Sequence, residues 1–262
     1  MSVTVDHDSE LDNVAHVQLD FGDLNLLSPD ALVELRDTIA TVPDDASVVT
    51  IGHDAGISGG DVGGLTAGLK LDEVRDYSVS EARVMLTSLY EVNQRVRDLE
   101  AITVCRCGEY ALGGGLELAM SCDFRVATED AALGLPEIDA GLVTGIQGGL
   151  LVRLVGLQAA KEIIYTGEPV SGSEAEELGL VNRAVPPASY ESTADDLVET
   201  LADKSPIIAK WQTQVFRALR SNGIESGIDH SLETIAACFD THDQYEAMTA
   251  FLEKREPEFE GR

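Results

Sequence analysis

The chain has 262 residues, of which 44% are hydrophobic, so it can bury a core as one large domain or as a main domain with a smaller appendage. Its 47 acidic residues against 18 basic ones give a formal net charge of −29, which disfavours binding to nucleic acid or to anionic lipid. The acidic excess is spread over most of the length, and this distribution favours adaptation to concentrated salt over an ordinary acidic surface. We therefore expect a cytoplasmic protein of a halophile.

The N-terminal residues are polar and acidic and lack the basic and apolar regions of a signal peptide. No stretch approaches the roughly 20 apolar residues that span a membrane, so we expect no membrane association. The four cysteines include no CxxC pair, and Cys105 and Cys107 alternate within a predicted strand, which favours core thiols over metal ligands. The histidines are scattered without the spacing of metal ligands, and we assign none of them a catalytic role.

Strand and helix patterns alternate in the first part of the chain. Residues 14–21 alternate apolar and polar side chains as a half-buried strand does, and Ser28 is a predicted N-cap for a helix over 29–40. A more buried strand over 47–52 leads into a glycine-rich loop over 56–64. In open α/β sheets the carboxyl ends of strands face the binding crevice, so this loop is a candidate ligand-binding loop.

The same order recurs in the middle of the chain. Helical spacing of apolar residues over 80–99 precedes a strand beginning at Ile102, and this strand runs into three consecutive glycines that open a helix, Gly113 to Gly115. Two short strands are predicted at 124–127 and 132–135. Helices are predicted over 149–154, 159–166, 173–178, 190–204, 206–219, 227–239 and 245–254.

Two glutamates follow these helix-start signals, Glu117 after the glycines and Glu137 after Pro136. Each alone is a favourable helix-start residue, because carboxylates interact well with the N-terminal dipole. If folding brings both to one pocket, one can hold a water molecule and the other can pass a proton. The exposed N–H groups of a glycine-rich helix start can stabilise negative charge on a substrate. The pair and the glycines together predict an active site.

The sequence resembles the enoyl-CoA hydratase/isomerase (crotonase) superfamily from about residue 14 to residue 261. Four stretches match its pattern in order: DLNLLSPDAL, ISGGDV, EYALGGGLELAMSCDFRVATEDAALGLPEI and DQYEAMTAFLEKREPEF. The third is the most specific. The resemblance implies an α/β fold with a ββα spiral core over 1–190 and a helical, oligomerising C-terminal region over 191–262. It also implies a homotrimer or a dimer of trimers.

The resemblance further implies an acyl-CoA thioester whose carbonyl oxygen lies between the N–H groups of Gly60 and Gly114. Ser58 and Asp61 belong to the same predicted substrate-binding loop as Gly60. The family's two glutamates fall on Glu117 and Glu137, which in similar hydratases hold water and add it across the 2,3 double bond. By the same resemblance, Glu137 is the residue expected to protonate the α-carbon. No metal or redox cofactor is implied, since the coenzyme A thioester is the substrate.

Both glutamates are present, which favours a hydratase over an isomerase that works with one carboxylate. An isomerase, an acyl-CoA hydrolase and a non-catalytic acyl-CoA-binding subunit remain alternatives. The loop after Glu137 departs from the family pattern GxxPGxGGTQRL, being one residue shorter and lacking the proline, so the acyl group is not determined. Basic residues that could meet the coenzyme A phosphates are sparse, with Lys70 and Lys254 as candidates.

Overall fold

The computed structural model describes residues 2–22, 24–53 and 62–262. Its strands form one mixed sheet in sequence order, in which the first pair is antiparallel and every later pair is parallel. The strands are β1 (Ser2–His7), β2 (Val14–Asp20), β3 (Val48–His53), β4 (Ile102–Leu112), β5 (Phe124–Gly134) and β6 (Arg183–Val185). This mixed α/β architecture confirms the predicted fold class.

Helices connect the parallel strands and make up most of the chain after β6. They are α1 (Pro29–Ile39), α2 (Leu71–Val74), α3 (Val79–Asp98), α4 (Gly114–Ser121), α5 (Gly148–Thr166), α6 (Gly172–Glu177), α7 (Tyr190–Ala202), α8 (Pro206–Asn222), α9 (Ile224–Cys238) and α10 (His242–Glu253). Short 3₁₀ helices span Pro136–Ala140 and Pro187–Ser189. The predicted N-cap is confirmed, because the Ser28 hydroxyl accepts the Ala31 N–H at 3.1 Å.

The prediction of two short strands at 124–127 and 132–135 is wrong, because β5 is one continuous strand. Glu129 and Asp130 stand between the two predicted strands, where β5 bulges against β4, and the pairing resumes beyond them. The strand β1 was not predicted. The helices predicted at 149–154 and 159–166 belong to α5, which is interrupted at Gly156 with φ of 79°.

Two layers cover the sheet. One face packs on α1, α3 and α4, and the other packs on α7 through a row of four valines, one from each central strand. These valines are Val14, Val48, Val104 and Val126. Tyr190 at the start of α7 accepts a hydrogen bond from the Gly108 N–H at 2.9 Å and so fixes α7 against β4. The division into units 1–190 and 191–262 stays a prediction.

The predicted core thiols lie on the α3 and α4 side of the sheet. Cys105, Cys107 and Cys122 are buried and free, and the sulfur atoms of Cys105 and Cys107 are 3.7 Å apart. Both side chains therefore point to the same face, as their alternation predicted. Within the three described segments, every helix is too short or too polar to cross a membrane.

Candidate active site

The two glutamates follow the carboxyl ends of neighbouring parallel strands. Leu112 at the end of β4 pairs with Gly134 at the end of β5. The Gly113 N–H donates to the Gly134 carbonyl at 2.9 Å, which ties the two strand ends together. Glu117 then lies in the first turn of α4, and Glu137 lies in the 3₁₀ helix after β5. The sheet thus brings both residues to one edge, where open α/β sheets bind ligands.

The three consecutive glycines let the chain pack closely at the start of α4 and leave a backbone donor available there. Gly113 has φ of 52°, a conformation that glycine adopts without strain, and a side chain there would reach within 3.4 Å of Glu137 Oε1. Gly115 packs so closely on the Thr66 carbonyl that no side chain could be accommodated. The N–H of Gly114 makes no hydrogen bond within the described part of the chain. A donor at a helix N-terminus is thus available beside Glu137.

Glu117 is almost completely buried, with 3% of its surface exposed. Its Oε1 accepts the Gln147 N–H at 2.8 Å. Burial raises the pKa of Glu117 to about 7; the bond from Gln147 opposes this rise, and the nearby Glu137 carboxylate adds to it. A carboxyl group with this pKa can accept or release a proton at neutral pH.

Glu137 is half-buried and is held by the loop that follows it. The Thr144 hydroxyl donates to Glu137 Oε2 at 2.8 Å, while Oε1 lies beside Gly113. Gly141 in the left-handed conformation ends the 3₁₀ helix, and the Leu142 N–H donates to the Glu137 carbonyl at 2.9 Å. These contacts turn the chain back and direct the carboxyl group toward the start of α4.

Two residues that hold the glutamates were not predicted from the sequence. Thr144 stands where the family pattern GxxPGxGGTQRL has its proline, so the departure itself was the available signal. Gln147 donates its main-chain N–H to Glu117, and because many residue types can make such a bond, the residue type gave no signal. Its side-chain oxygen accepts a hydrogen bond from Arg97 Nη1 at 3.0 Å, which fixes its position.

The remaining predicted binding residues have different outcomes. Ser58, Gly60 and Asp61 lie outside the described residues. Lys70 pairs with Glu73 at 2.7 Å, and Lys254 ends α10 with an exposed side chain. Across residues 2–22, 24–53 and 62–262, no group of three or more histidine, cysteine, aspartate or glutamate side chains is arranged to hold a metal ion.

The sequence matches one protein family over nearly its whole length. The family model "Enoyl-CoA hydratase/isomerase" matches residues 9–262. A short-chain-enoyl-CoA hydratase from Clostridium acetobutylicum is 33% identical over 236 residues, covering 90% of this chain and 89% of that protein. A crotonyl-CoA hydratase from Syntrophomonas wolfei is 32% identical over 241 residues, covering 90% of both proteins.

Solved structures agree with the sequence relatives. The crystal structure of an enoyl-CoA hydratase from Bacillus anthracis superimposes with a TM-score of 0.90 at 29% identity, covering 100% of both chains. A structure of the enoyl-CoA hydratase from Mycobacterium smegmatis gives the same TM-score of 0.90 at 28% identity, covering 99% of each chain. The match extends over the strand ends and helices that carry Glu117 and Glu137. This chain is a member of the enoyl-CoA hydratase/isomerase family.

Proposed function

We propose that this protein is an enoyl-CoA hydratase that adds water across the 2,3 double bond of a 2-enoyl-CoA thioester. The observation that carries this function is the placement of two carboxyl groups beside one free helix N-terminus. Burial raises the pKa of Glu117 to about 7, Glu137 lies against Gly113, and the next N–H, that of Gly114, makes no hydrogen bond to a described residue. An isomerase needs one such carboxylate, so the pair favours hydration.

In the proposed reaction the thioester oxygen accepts the Gly114 N–H, with the Gly60 N–H as the second donor. Water loses a proton to Glu117 and its oxygen bonds to C3, while the electrons of the double bond move toward the thioester oxygen. Each backbone donor aimed at that oxygen is worth about 10²–10³ in rate. Glu137 then gives a proton to C2, and a proton returns from Glu117 to Glu137 before the next turnover. The two coupled carboxyl groups thus share one exchangeable proton.

The substrate we propose is a short 2-enoyl-CoA, because the hydratases from Clostridium acetobutylicum and Syntrophomonas wolfei are named for short-chain and crotonyl substrates. Crotonyl-CoA and longer 2-enoyl-CoAs should be supplied in concentrated KCl. Loss of the ultraviolet absorbance of the conjugated thioester reports turnover. We expect the fastest turnover with crotonyl-CoA. Absence of turnover on every 2-enoyl-CoA would refute the proposed activity.

Product mass distinguishes hydration from the alternatives within the family. Hydration adds the mass of one water molecule to the intact thioester, isomerisation leaves the mass unchanged, and hydrolysis releases free coenzyme A. Both 2-enoyl and 3-enoyl thioesters should be tested. A thioester that binds with no change of mass and no shift of its double bond would instead indicate a non-catalytic acyl-CoA-binding subunit.

We expect Thr144→Val to lower kcat for crotonyl-CoA by about tenfold, the rate equivalent of about 1.4 kcal/mol, which is the size of one hydrogen bond to a charged group. The hydroxyl of Thr144 fixes Glu137 Oε2, and valine keeps the side-chain shape without the donor. Thr144→Ser keeps the donor and serves as the matched control, with a rate within about threefold of the wild type. Equal rates for valine and serine variants would exclude a role for this hydrogen bond.

We also propose that the chain assembles as a homotrimer or a dimer of trimers through its C-terminal helices. One face of α9 carries an exposed apolar row at helical spacing, formed by Ile224, Ile228, Leu232, Ile235 and Phe239. Another side of α9 packs on α8, where Gly227 meets Leu219. A continuous apolar row of this kind needs a covering surface.

The expected mass in solution is three or six times the 28.0 kDa of one chain, measured by sedimentation in concentrated KCl. Leu232→Glu should shift the protein toward the monomer, because it places a charge in the centre of the apolar row. Ser226→Glu introduces the same charge at an exposed position outside the row and should leave the mass unchanged. A wild-type monomer would contradict the proposal.

A further inference from the structure

Unpaired buried polar atoms are concentrated in one part of the molecule. Among the described residues, eight buried side-chain nitrogen and oxygen atoms lack a hydrogen-bond partner, and seven of them belong to α3, α8 or Gln147. These seven are Asn93 Nδ2 and Oδ1, Gln94 Oε1, Arg97 Nε, Gln147 Nε2, Arg217 Nε and Arg220 Nε. Buried polar atoms in proteins are nearly always paired, so this concentration indicates a missing partner.

The three elements meet directly. Arg217 Nη2 on α8 donates to the Leu99 carbonyl at the end of α3 at 3.1 Å. Arg97 Nη1 on α3 donates to the Gln147 side chain at 3.0 Å, and Asn93 lies one turn before Arg97 on the same helix face. Most of the unpaired atoms therefore lie on neighbouring elements, and we call their residues the α3–α8 cluster: Asn93, Arg97, Gln147, Arg217 and Arg220.

The α3–α8 cluster carries positive charge that Asp98, Asp123 and Glu100 offset only through space. Arg97, Arg217 and Arg220 are half-buried, and none of the three forms an ion pair with the described residues. Elsewhere Arg36 and Arg106 each contact two carboxylates. In a chain with 47 acidic and 18 basic residues, three neighbouring arginines without an ion pair to any described residue are unexpected, because acidic residues are in large excess.

Like charges in the cluster repel one another. Burial lowers the pKa of Arg220, and the positive charges of Arg97 and Arg217 lower it further. Burial also lowers the pKa of Arg97, with Arg153 on α5 adding to the effect. Asp98 opposes both shifts through its charge and Asp123 opposes that of Arg220, but neither carboxylate forms a hydrogen bond with these arginines in the described structure. A negative charge inside the cluster would relieve this repulsion.

The unpaired atoms are mainly donors. Five are N–H groups, from Asn93, Arg97, Gln147, Arg217 and Arg220, against two acceptor oxygens. Attraction of arginine to a helix C-terminus explains why Arg97 and Arg220 stand in the last turns of their helices. It does not supply an acceptor for the buried amides of Asn93 and Gln147. An acceptor that carries negative charge satisfies both requirements.

We propose that the α3–α8 cluster binds a small inorganic anion from solution, either a halide or a tetrahedral oxyanion such as phosphate. The site is separate from the thioester site and does not depend on the proposed reaction. It does adjoin that site, because the main chain of Gln147 donates to Glu117. For this reason its test uses stability and anion position, which are independent of turnover.

The first test is thermal unfolding of the full chain at constant potassium concentration and ionic strength. Chloride replaces gluconate in one series, and phosphate replaces gluconate in another. We expect the Tm to rise with a saturating dependence, by roughly 5 °C at a concentration one hundred times the Kd. The series with the lower half-saturation concentration identifies the preferred anion. Equal Tm values in all three salts would overturn the proposal.

Arg220→Gln should abolish the saturating part of the Tm increase. Arg83→Gln is the matched control, because Arg83 is an exposed arginine of α3 that forms no ion pair with the described residues. It should retain the full increase. A similar loss in both variants would assign the effect to the general charge balance and would contradict a specific site.

The second test does not require a variant. Crystals grown in potassium bromide or in potassium arsenate allow a halide or an oxyanion to be located by anomalous scattering. We expect a peak within hydrogen-bond distance of the Arg220 guanidinium and the Gln147 amide in at least one salt. A water molecule alone, or a carboxylate from a second copy of this chain in that position, would overturn the proposal.

Discussion

Glu137→Gln is expected to lower kcat for hydration of crotonyl-CoA by about 10²–10⁴-fold, the usual contribution of a positioned general acid. Glutamine has the shape of glutamate, and its amide oxygen can accept the hydrogen bond that Thr144 gives to the carboxylate. It cannot carry the proton that C2 must receive. The expected effect is therefore on chemistry, with KM for crotonyl-CoA changed much less than kcat.

Asp139→Asn provides the control for this substitution. Asp139 lies in the same 3₁₀ helix, is exposed, and makes no side-chain hydrogen bond with the described residues. Removing its charge changes the local electrostatics without touching the proposed proton path, so we expect a rate within about twofold of the wild type. Initial rates of both variants, compared with the wild type in concentrated KCl, measure these effects. A fully active Glu137→Gln enzyme would eliminate Glu137 as the proton donor.

Much of the fold could be predicted because local signals and the hydrophobic pattern agree. Ser28 caps α1 as predicted, and the helical spacing over 80–99 corresponds to α3. The errors arose where pairing with a distant strand overrides local residue preference. Glu129 and Asp130 are residue types depleted in strands, yet β5 continues through them because β4 pairs with β5 both before and after them.

The candidate site could be predicted where side-chain identity carries the chemistry. Glu117 and Glu137 are recognisable from their positions after helix-start signals, and the start of α4 is recognisable from its glycines. Gln147 could not be found in this way, because it donates its main-chain N–H to Glu117 and many residue types could do the same. The raised pKa of Glu117 could not be predicted from the sequence either, since its burial depends on how the surrounding elements pack.

The second large effect concerns Glu117, where activity and stability should change in opposite directions. Glu117→Gln is expected to lower kcat by about 10²–10⁴-fold, because the amide cannot take the proton from water. The pKa of Glu117 is raised from 4.5 to about 7 by burial. A raised pKa means that ionisation of this group destabilises the folded state relative to the unfolded state. The carboxylate is therefore retained at a cost to stability.

The sign of the pH dependence follows from this shift. Below pH 4.5 Glu117 is protonated in both the folded and the unfolded state and imposes no penalty. Between pH 4.5 and about 7 the unfolded chain loses this proton first, so the free energy of unfolding falls as pH rises. The full loss above pH 7 is about 3 kcal/mol, from 1.36 kcal/mol per pKa unit. Glutamine at this position removes the loss.

Denaturant unfolding of the wild type and of Glu117→Gln at pH 5 and pH 8, at fixed salt and protein concentration, measures the difference. We expect the variant to gain up to about 3 kcal/mol relative to the wild type between these pH values. Glu109→Gln, at an exposed position of β4, should show no such gain. If the bond from the Gln147 N–H outweighed the cost of burying the charged carboxylate, the variant would instead lose stability at pH 8. A stability gain together with a large fall in kcat is therefore specific to a buried catalytic carboxylate.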